Sequence, residues 1–96
     1  MIYEWSAAKA GINLQKHGVS FEEASTVFLD PFASTFSDPD HSAAEVREIT
    51  IGHTARHGLI FVAHCQRGDR TRIISARKVT KREREQYEEG IESQTK

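Results

Sequence analysis

The first eighteen residues change from strand-like alternation to helical spacing. Residues 2–5 alternate apolar and polar side chains and include two aromatic residues, which is typical of a short strand. Ser6 is a favourable helix N-cap, and residues 7–17 are rich in helix-forming side chains. Gly18 then supplies the residue that most often follows a helix C-terminus. The pattern therefore predicts a short strand followed directly by a helix.

A second helix is predicted to begin immediately after the first. Ser20 and Glu23 form a Ser-x-x-Glu capping box, and the apolar residues that follow recur at the spacing of one helix face. Asp30 precedes Pro31, and a residue before proline is driven away from helical backbone angles. We therefore expect this helix to end at Asp30.

The middle of the chain adopts a period of two, which predicts strands. A short strand is expected over residues 32–36, a polar loop over 37–44, and three longer strands over 45–54, 59–66 and 71–77. Gly58 and Gly68 lie in the two short connections between the long strands. Antiparallel hairpins are therefore the simplest topology.

A last helix begins at a second capping box, formed by Thr80 and Glu83, and is expected to end near Gly90. Its apolar residues are few: Val79, Tyr87 and Ile91. Burial of so few side chains stabilises by only about a few kcal/mol. We expect this helix to dock loosely and to be open to replacement by a helix of a partner protein.

Segregated helices and strands define an α+β domain. We predict an antiparallel sheet of about four strands, with two N-terminal helices on one face, a C-terminal helix, and the other face partly open to ligand. Of the 96 residues, 38% are apolar and 28% charged, which fits one domain over residues 1–92 with a polar tail over 93–96. Neither a membrane-spanning stretch nor a secretory leader is recognisable, so a cytoplasmic location is expected.

The net charge of −1 hides a division along the chain. Residues 67–84 carry eight basic side chains against two acidic ones, whereas residues 20–48 carry seven acidic side chains against one basic residue. Concentrated positive charge suits a polyanion such as RNA or DNA. An ordinary solvated surface is the alternative interpretation of such a run.

Strand alternation predicts which side chains share a sheet face. One set on the fourth strand has the composition of a core, namely Leu59, Phe61, Ala63 and Cys65. His64 would then lie on the less apolar face. If Arg72 or Arg77 shares that face, the two residue types would combine a phosphate clamp with a group that titrates near neutrality.

Two other features have a functional and a structural interpretation. Lys9, Asn13 and Lys16 recur along one side of the first helix, where they either extend the positive surface or simply solubilise the helix. Tyr3 and Trp5 could stack on unpaired bases, but a core position is the more ordinary role for them.

Motifs for other chemistries are missing. The sequence has no P-loop, no Gly-x-Ser-x-Gly and no metal-ligand spacing among its histidines. His41 follows Asp38 and Asp40 closely, and these residues could bind a cation. Formation of a turn explains them better. Cys65 is the single cysteine, so it can form neither an internal disulfide nor a thiolate zinc cage.

Several strings follow one another in order over residues 3–90. They are Tyr3-Glu4-Trp5 with the following Ala8-Lys9-Ala10, Lys16-His17-Gly18-Val19-Ser20-Phe21-Glu22-Glu23-Ala24, Asp38-Pro39-Asp40-His41-Ser42, residues 47–52 and Arg72-Ile73-Ile74-Ser75-Ala76-Arg77-Lys78. In this order and spacing they resemble the BrnT family of toxins. The resemblance implies a RelE-like fold and the endoribonuclease toxin of a bacterial type II toxin–antitoxin pair, acting on mRNA. It also implies a BrnA-like antitoxin with a ribbon-helix-helix domain, through which alone the toxin would associate with operator DNA.

In the activity that the resemblance implies, the RNA 2′-oxygen attacks the adjacent phosphorus. That reaction needs proton transfer and stabilisation of a phosphorane, and no metal. We predict that Arg72 and Arg77 stabilise the phosphorane and that His64 is the acid or base. The predicted RNA-binding set is Lys9, Lys16, Arg70 and Tyr87. His17 and Tyr87 are less favoured proton carriers, and His17 more simply closes the first helix.

A different class of function stays open at this point. In a non-catalytic binding module, the basic strand and the start of the last helix would bind nucleic acid or an acidic peptide. The histidines would then be structural.

Overall fold

The computed structural model describes residues 2–38 and 46–95, with side chains as far as Ile91. In chain order the elements are β1 (Ile2–Glu4), α1 (Ala7–His17), α2 (Phe21–Ser25), a 3₁₀ helix (Thr26–Leu29), β2 (Ser34–Ser37), β3 (Arg47–Thr54), β4 (Gly58–Arg67), β5 (Arg70–Lys78) and α3 (Lys81–Thr95). The predicted α+β class and the order of elements are confirmed. The expectation that α3 ends near Gly90 was wrong, since the helix continues to Thr95.

The helix ends follow from local side-chain chemistry. Ser6 and Ser20 accept hydrogen bonds from the backbone N–H groups three residues later, at 3.3 and 3.1 Å. Gly18 closes α1 with a φ of 72°, in the left-handed region that favours glycine. Thr80 and Glu83 form the predicted reciprocal capping box at 3.2 and 2.8 Å.

The sheet has five strands in the order β1-β5-β4-β3-β2. Neighbours are antiparallel except β1 and β5, which are parallel. The predicted antiparallel sheet of about four strands was therefore wrong in strand number and in direction. The physical reason is tertiary: Tyr3 stacks on Phe28 and Trp5 packs edge-on against Phe21. These contacts confirm the core role of both aromatic residues and hold β1 at the sheet edge.

Hydrophobic clusters cover parts of both sheet faces. We call the face under α1, α2 and the 3₁₀ helix the helical face, and its fully buried residues are Val19, Phe21, Ala24, Val27, Ile60, Val62, Ile73 and Ala76. On the opposite face α3 packs over a smaller cluster of Ile49, Ile51, Leu59 and Tyr87. Leu59 and Phe61, which the alternation of β4 assigns to the core, thus belong to the smaller cluster, and the main core lies on the other side of the sheet.

Candidate nucleic-acid interface

A β-bulge in β5 decides which arginines share a face. The β4–β5 register shifts between Ala63 and His64, which leaves Ile74 without a partner on β4. Arg72 and Arg77 are five residues apart, so strict alternation would place them on opposite faces. The extra residue of the bulge brings both to the same face.

That face carries the basic side chains of three strands. Arg47 and Arg72 flank Cys65 in a row across β3, β4 and β5, about 10 Å apart at their backbones. Alternation adds Arg67 and Arg70 at the hairpin end, where these two residues pair. We call this side the arginine face, defined by Arg47, Arg67, Arg70, Arg72 and Arg77.

Arg72 and Arg77 each hold a carboxylate. Arg72 Nη1 donates to Glu4 Oε2 at 2.7 Å across the β5–β1 pair. Arg77 donates two hydrogen bonds to Glu83, both 2.9 Å long, and its guanidinium lies 3.8 Å from the centroid of the Phe61 ring. The hydrogen bonds from Arg77 lower the pKa of Glu83, despite the opposing effect of burial. Arg77 is therefore held at the start of α3 by two hydrogen bonds, whereas Arg72 donates one hydrogen bond to Glu4.

Arg47, Arg70 and Arg72 are more available to a ligand than Arg77. The Arg72–Glu4 pair is about one quarter exposed on each side, with side-chain exposures of 28% and 26%. A partly exposed pair of this kind contributes about 0–1 kcal/mol, so a phosphate group can replace the carboxylate at little cost. Arg47 and Arg70 form no ion pair within the described ranges. The centre of the arginine face can therefore accept an anion.

His64 lies on the helical face, so the condition that Arg72 or Arg77 shares a face with it is not met. Its side chain is buried, Nε2 lies 2.7 Å from Thr50 Oγ1, and its ring packs edge-on against Phe28 with centroids 5.0 Å apart. Burial lowers the pKa of His64, partly offset by Glu48. Its role in proton transfer stays a prediction, while its surroundings are those of a structural residue.

Tyr87 is also enclosed. Its hydroxyl donates to Asp30 Oδ2 at 2.6 Å, and burial together with that hydrogen bond raises the pKa of Tyr87 to about 12. Asp30 accepts further hydrogen bonds from the backbone N–H groups of His53 and Phe32. Tyr87 therefore anchors α3 to the body of the protein, and its contact with RNA stays a prediction.

The predicted lysines line a separate depression beside β5. Lys9 and Lys16 border a cleft of about 210 Å³ between α1 and β5, together with His17 and Ser75. Asn13, predicted as part of the same solvent-facing stripe, is instead buried. Its amide donates to the Ala76 carbonyl at 2.9 Å and accepts from the Ala76 N–H at 3.1 Å. We call this depression the lysine cleft.

Three features of this surface are not predicted from the sequence: the place of Arg47, the carboxylate partners of the arginines and the bulge in β5. Arg47 was counted only as the single base in an acidic stretch, although it lies within a string that carries the family resemblance. The carboxylates of Glu4 and Glu83 gave no sign of their arginine partners, because both pairs depend on the fold. The bulge at Ile74 leaves no mark in the alternation of β5, so no pattern in the sequence would have revealed it.

Some expectations fall outside the described residues. The turn expected around His41 lies within residues 39–45, outside the described ranges. Within residues 2–38 and 46–95, no cluster of three or more His, Cys, Asp or Glu side chains is arranged to hold a metal ion. No helix in that part of the chain is long and apolar enough to cross a membrane.

Comparison with known proteins places this chain in a class, the toxins of type II toxin–antitoxin systems. A family model described as the ribonuclease toxin BrnT of such a system matches residues 5–83. The chain therefore belongs to the BrnT family, and the resemblance seen in its sequence is confirmed. Membership implies an RNA substrate and an antitoxin protein as partner.

The comparison extends to a solved structure. The chain is similar to the Brucella abortus ribonuclease toxin BrnT, known from a crystal structure, with a TM-score of 0.62 and 25% sequence identity. The match covers 84% of this chain and 100% of that chain. No curated protein matches the chain. Most of α3 lies beyond residue 83, where the family model ends.

Proposed function

We propose that this chain is a metal-independent endoribonuclease toxin that cleaves mRNA in the cytoplasm and so inhibits translation and growth. One observation carries the proposal: the bulge in β5 gathers Arg72 and Arg77 on one sheet face with Arg47. A member of a ribonuclease toxin family thereby presents a surface suited to an RNA phosphate.

The arginine face supplies charge stabilisation. The 2′-oxygen of RNA attacks the adjacent phosphorus, and the 5′-oxygen leaves with a proton, so the nucleophile belongs to the substrate. Arg72 on β5 and Arg47 on β3 flank the phosphorane from the two sides of β4 and donate to its non-bridging oxygens. Arg70 binds the next phosphate, and Arg77 joins when Glu83 releases it.

Proton transfer is the part of the mechanism that the predicted residues support least. His64 is buried on the other face, and the Tyr87 hydroxyl donates to Asp30. His53 lies on the side of the arginine face but six residues along β3 from Arg47, about 20 Å away. We therefore assign the arginine face to phosphate binding and charge stabilisation.

The proposal is tested by RNA cleavage in excess chelator with Arg72→Ala and Arg56→Ala. Arg56 is an exposed arginine in the β3–β4 turn and serves as the matched control. We expect wild type and R56A to cleave equally with and without chelator, and R72A to be slower by about 100- to 1,000-fold, as for loss of one oxyanion donor. Chelator-sensitive cleavage would refute the metal-free mechanism. Intact RNA in every wild-type lane would favour the non-catalytic binding module.

The proposal extends to the antitoxin. A BrnA-like partner with a ribbon-helix-helix domain would place acidic residues over the arginine face, because burying unmatched arginines is costly. Expression of the toxin alone should arrest bacterial growth, and co-expression of the antitoxin should relieve the arrest. The association rate should fall as salt rises. A rate that salt leaves unchanged would exclude electrostatic steering.

A further inference from the structure

The outer edge of β5 is paired with a strand only at its start, and α1 lies beside the rest. β1 pairs with β5 only from Arg70 to Arg72. Farther along, the neighbour of β5 is α1. Its Asn13 amide forms hydrogen bonds with both the C=O and the N–H of Ala76, as the backbone of an adjacent strand would. The lysine cleft lies at this junction.

The charge of the lysine cleft is not neutralised locally. Lys9 and Lys16 precede and follow Asn13 by four and three residues, so the side of α1 that docks on β5 carries both lysines, about 10 Å apart along the helix axis. Neither lysine forms an ion pair within the described ranges, and no carboxylate lines the cleft. By contrast, Arg72 and Arg77 on the arginine face already hold Glu4 and Glu83.

The cleft is continuous with the arginine face. Ser75 lies opposite Ala63 on that face and also lines the cleft, together with the bulge residue Ile74. Ile12 adds an apolar wall and is 63% exposed. An RNA strand that leaves Arg72 and crosses the edge of β5 at the bulge therefore meets Ile12 between Lys9 and Lys16. This arrangement matches a ribose or base between two phosphates.

We propose that the lysine cleft is a second RNA subsite, which binds the sugar-phosphate backbone of nucleotides flanking the cleaved bond. This inference rests on the proposed ribonuclease function and extends its substrate site around the edge of the sheet. Lys9 and Lys16 each bind one phosphate, and Ile12 packs against the nucleotide between them. Single-stranded RNA is therefore the ligand, since a strand must bend around the edge of β5 to occupy both sites.

The test measures binding of 2′-O-methyl RNA, which cannot undergo 2′-oxygen attack, as a dinucleotide and as a ten-nucleotide strand. The double variant Lys9→Gln with Lys16→Gln should bind the long strand at least tenfold more weakly at low salt. The slope of log Kd against log salt should decrease by about 1.4, as expected for two lost phosphate contacts on a single strand. Affinity for the dinucleotide should not change. The control, Arg56→Gln, removes an exposed charge from the β3–β4 turn and should leave both affinities unchanged.

Other results would overturn the inference. An unchanged salt slope for the long strand would mean that the lysines contact no phosphate. Equal loss for dinucleotide and long strand would make the cleft part of the primary site. Weaker antitoxin binding with unchanged RNA binding would make it a protein interface. Because the RNA probe cannot be cleaved, these outcomes are separate from a failure of R72A to alter cleavage.

Discussion

The two faces of the sheet handle polar side chains in opposite ways. On the helical face, Thr35, Thr50 and His64 form a ladder across three strands, with 2.7 Å between successive polar atoms. On the arginine face, the guanidinium groups of Arg72 and Arg77 bind carboxylates at partly exposed positions. A polar group that is satisfied inside the core stabilises one fold, whereas a group with a replaceable surface partner is available to a ligand.

The largest effect on stability should come from a substitution in the ladder of Thr35, Thr50 and His64. His64→Ala leaves a cavity beside Phe28 and removes the partner of Thr50, so we expect the free energy of unfolding to fall by about 2–4 kcal/mol. Denaturant unfolding measures this loss. The cleavage rate per folded molecule should stay near the wild-type value.

The His64 variant also distinguishes a structural histidine from a catalytic one. A stable His64→Ala protein whose cleavage falls 100-fold or more would make the buried histidine the proton carrier. Thr50→Val is the matched variant, because it removes the hydrogen bond to His64, together with the one to Thr35, and leaves the imidazole in place. We expect it to destabilise by about 1–2 kcal/mol without altering cleavage.

The anchor of α3 should contribute less. Tyr87→Phe removes the hydroxyl that donates to Asp30, and we expect a loss of about 1–2 kcal/mol, because this bond has a charged acceptor. Hydrogen exchange should show the amides of α3 exchanging faster while those of β4 keep their protection. Equal acceleration in both elements would mean that α3 is integral to the core and not the loosely docked helix that the sequence predicts.

The titratable groups of the two faces affect stability in different pH ranges. Since burial lowers the pKa of His64 in the folded protein, only the unfolded chain takes up a proton as the pH falls below about 6.5. Stability should therefore be greatest above that pH and decrease below it, until the pH reaches the folded pKa. Glu83 has a lowered pKa as well, and its contribution is lost in a more acidic window, below 4.5.

Unfolding measured from pH 8 to pH 5 checks this expectation. His64→Gln should flatten the dependence in that interval. A dependence of the same size in the variant would assign the titration to another histidine.

The smallest change in stability is expected at the pair that joins the arginine face to α3. Glu83→Gln replaces a carboxylate on Arg77 with a neutral amide that still serves the capping box. The pair is partly exposed, so the free energy of unfolding should fall by less than about 1 kcal/mol. RNA affinity, measured with the uncleavable strand, should rise, because Arg77 is then available to phosphate. Unchanged affinity would remove Arg77 from the predicted site.

The sequence predicted more of the fold than of the site. Its caps at Ser6, Ser20 and Thr80 and its hairpin glycines are local features, and each was found where expected. His64 was misplaced because the two sides of β4 differ little in hydrophobicity. The number of strands was misjudged because a three-residue strand carries no information about its neighbour.

Local patterns in the amino-acid sequence specify the elements, their order and the family, since helix caps, turn residues and strand alternation act over a few residues. Which residues meet depends on how the elements pack together. One bulge residue, Ile74, brings Arg72 and Arg77 to the same face, and the docking of Asn13 on Ala76 sets two lysines along the edge of β5. Both depend on contacts between distant parts of the chain, because register and edge pairing are settled only when the sheet and helices pack together.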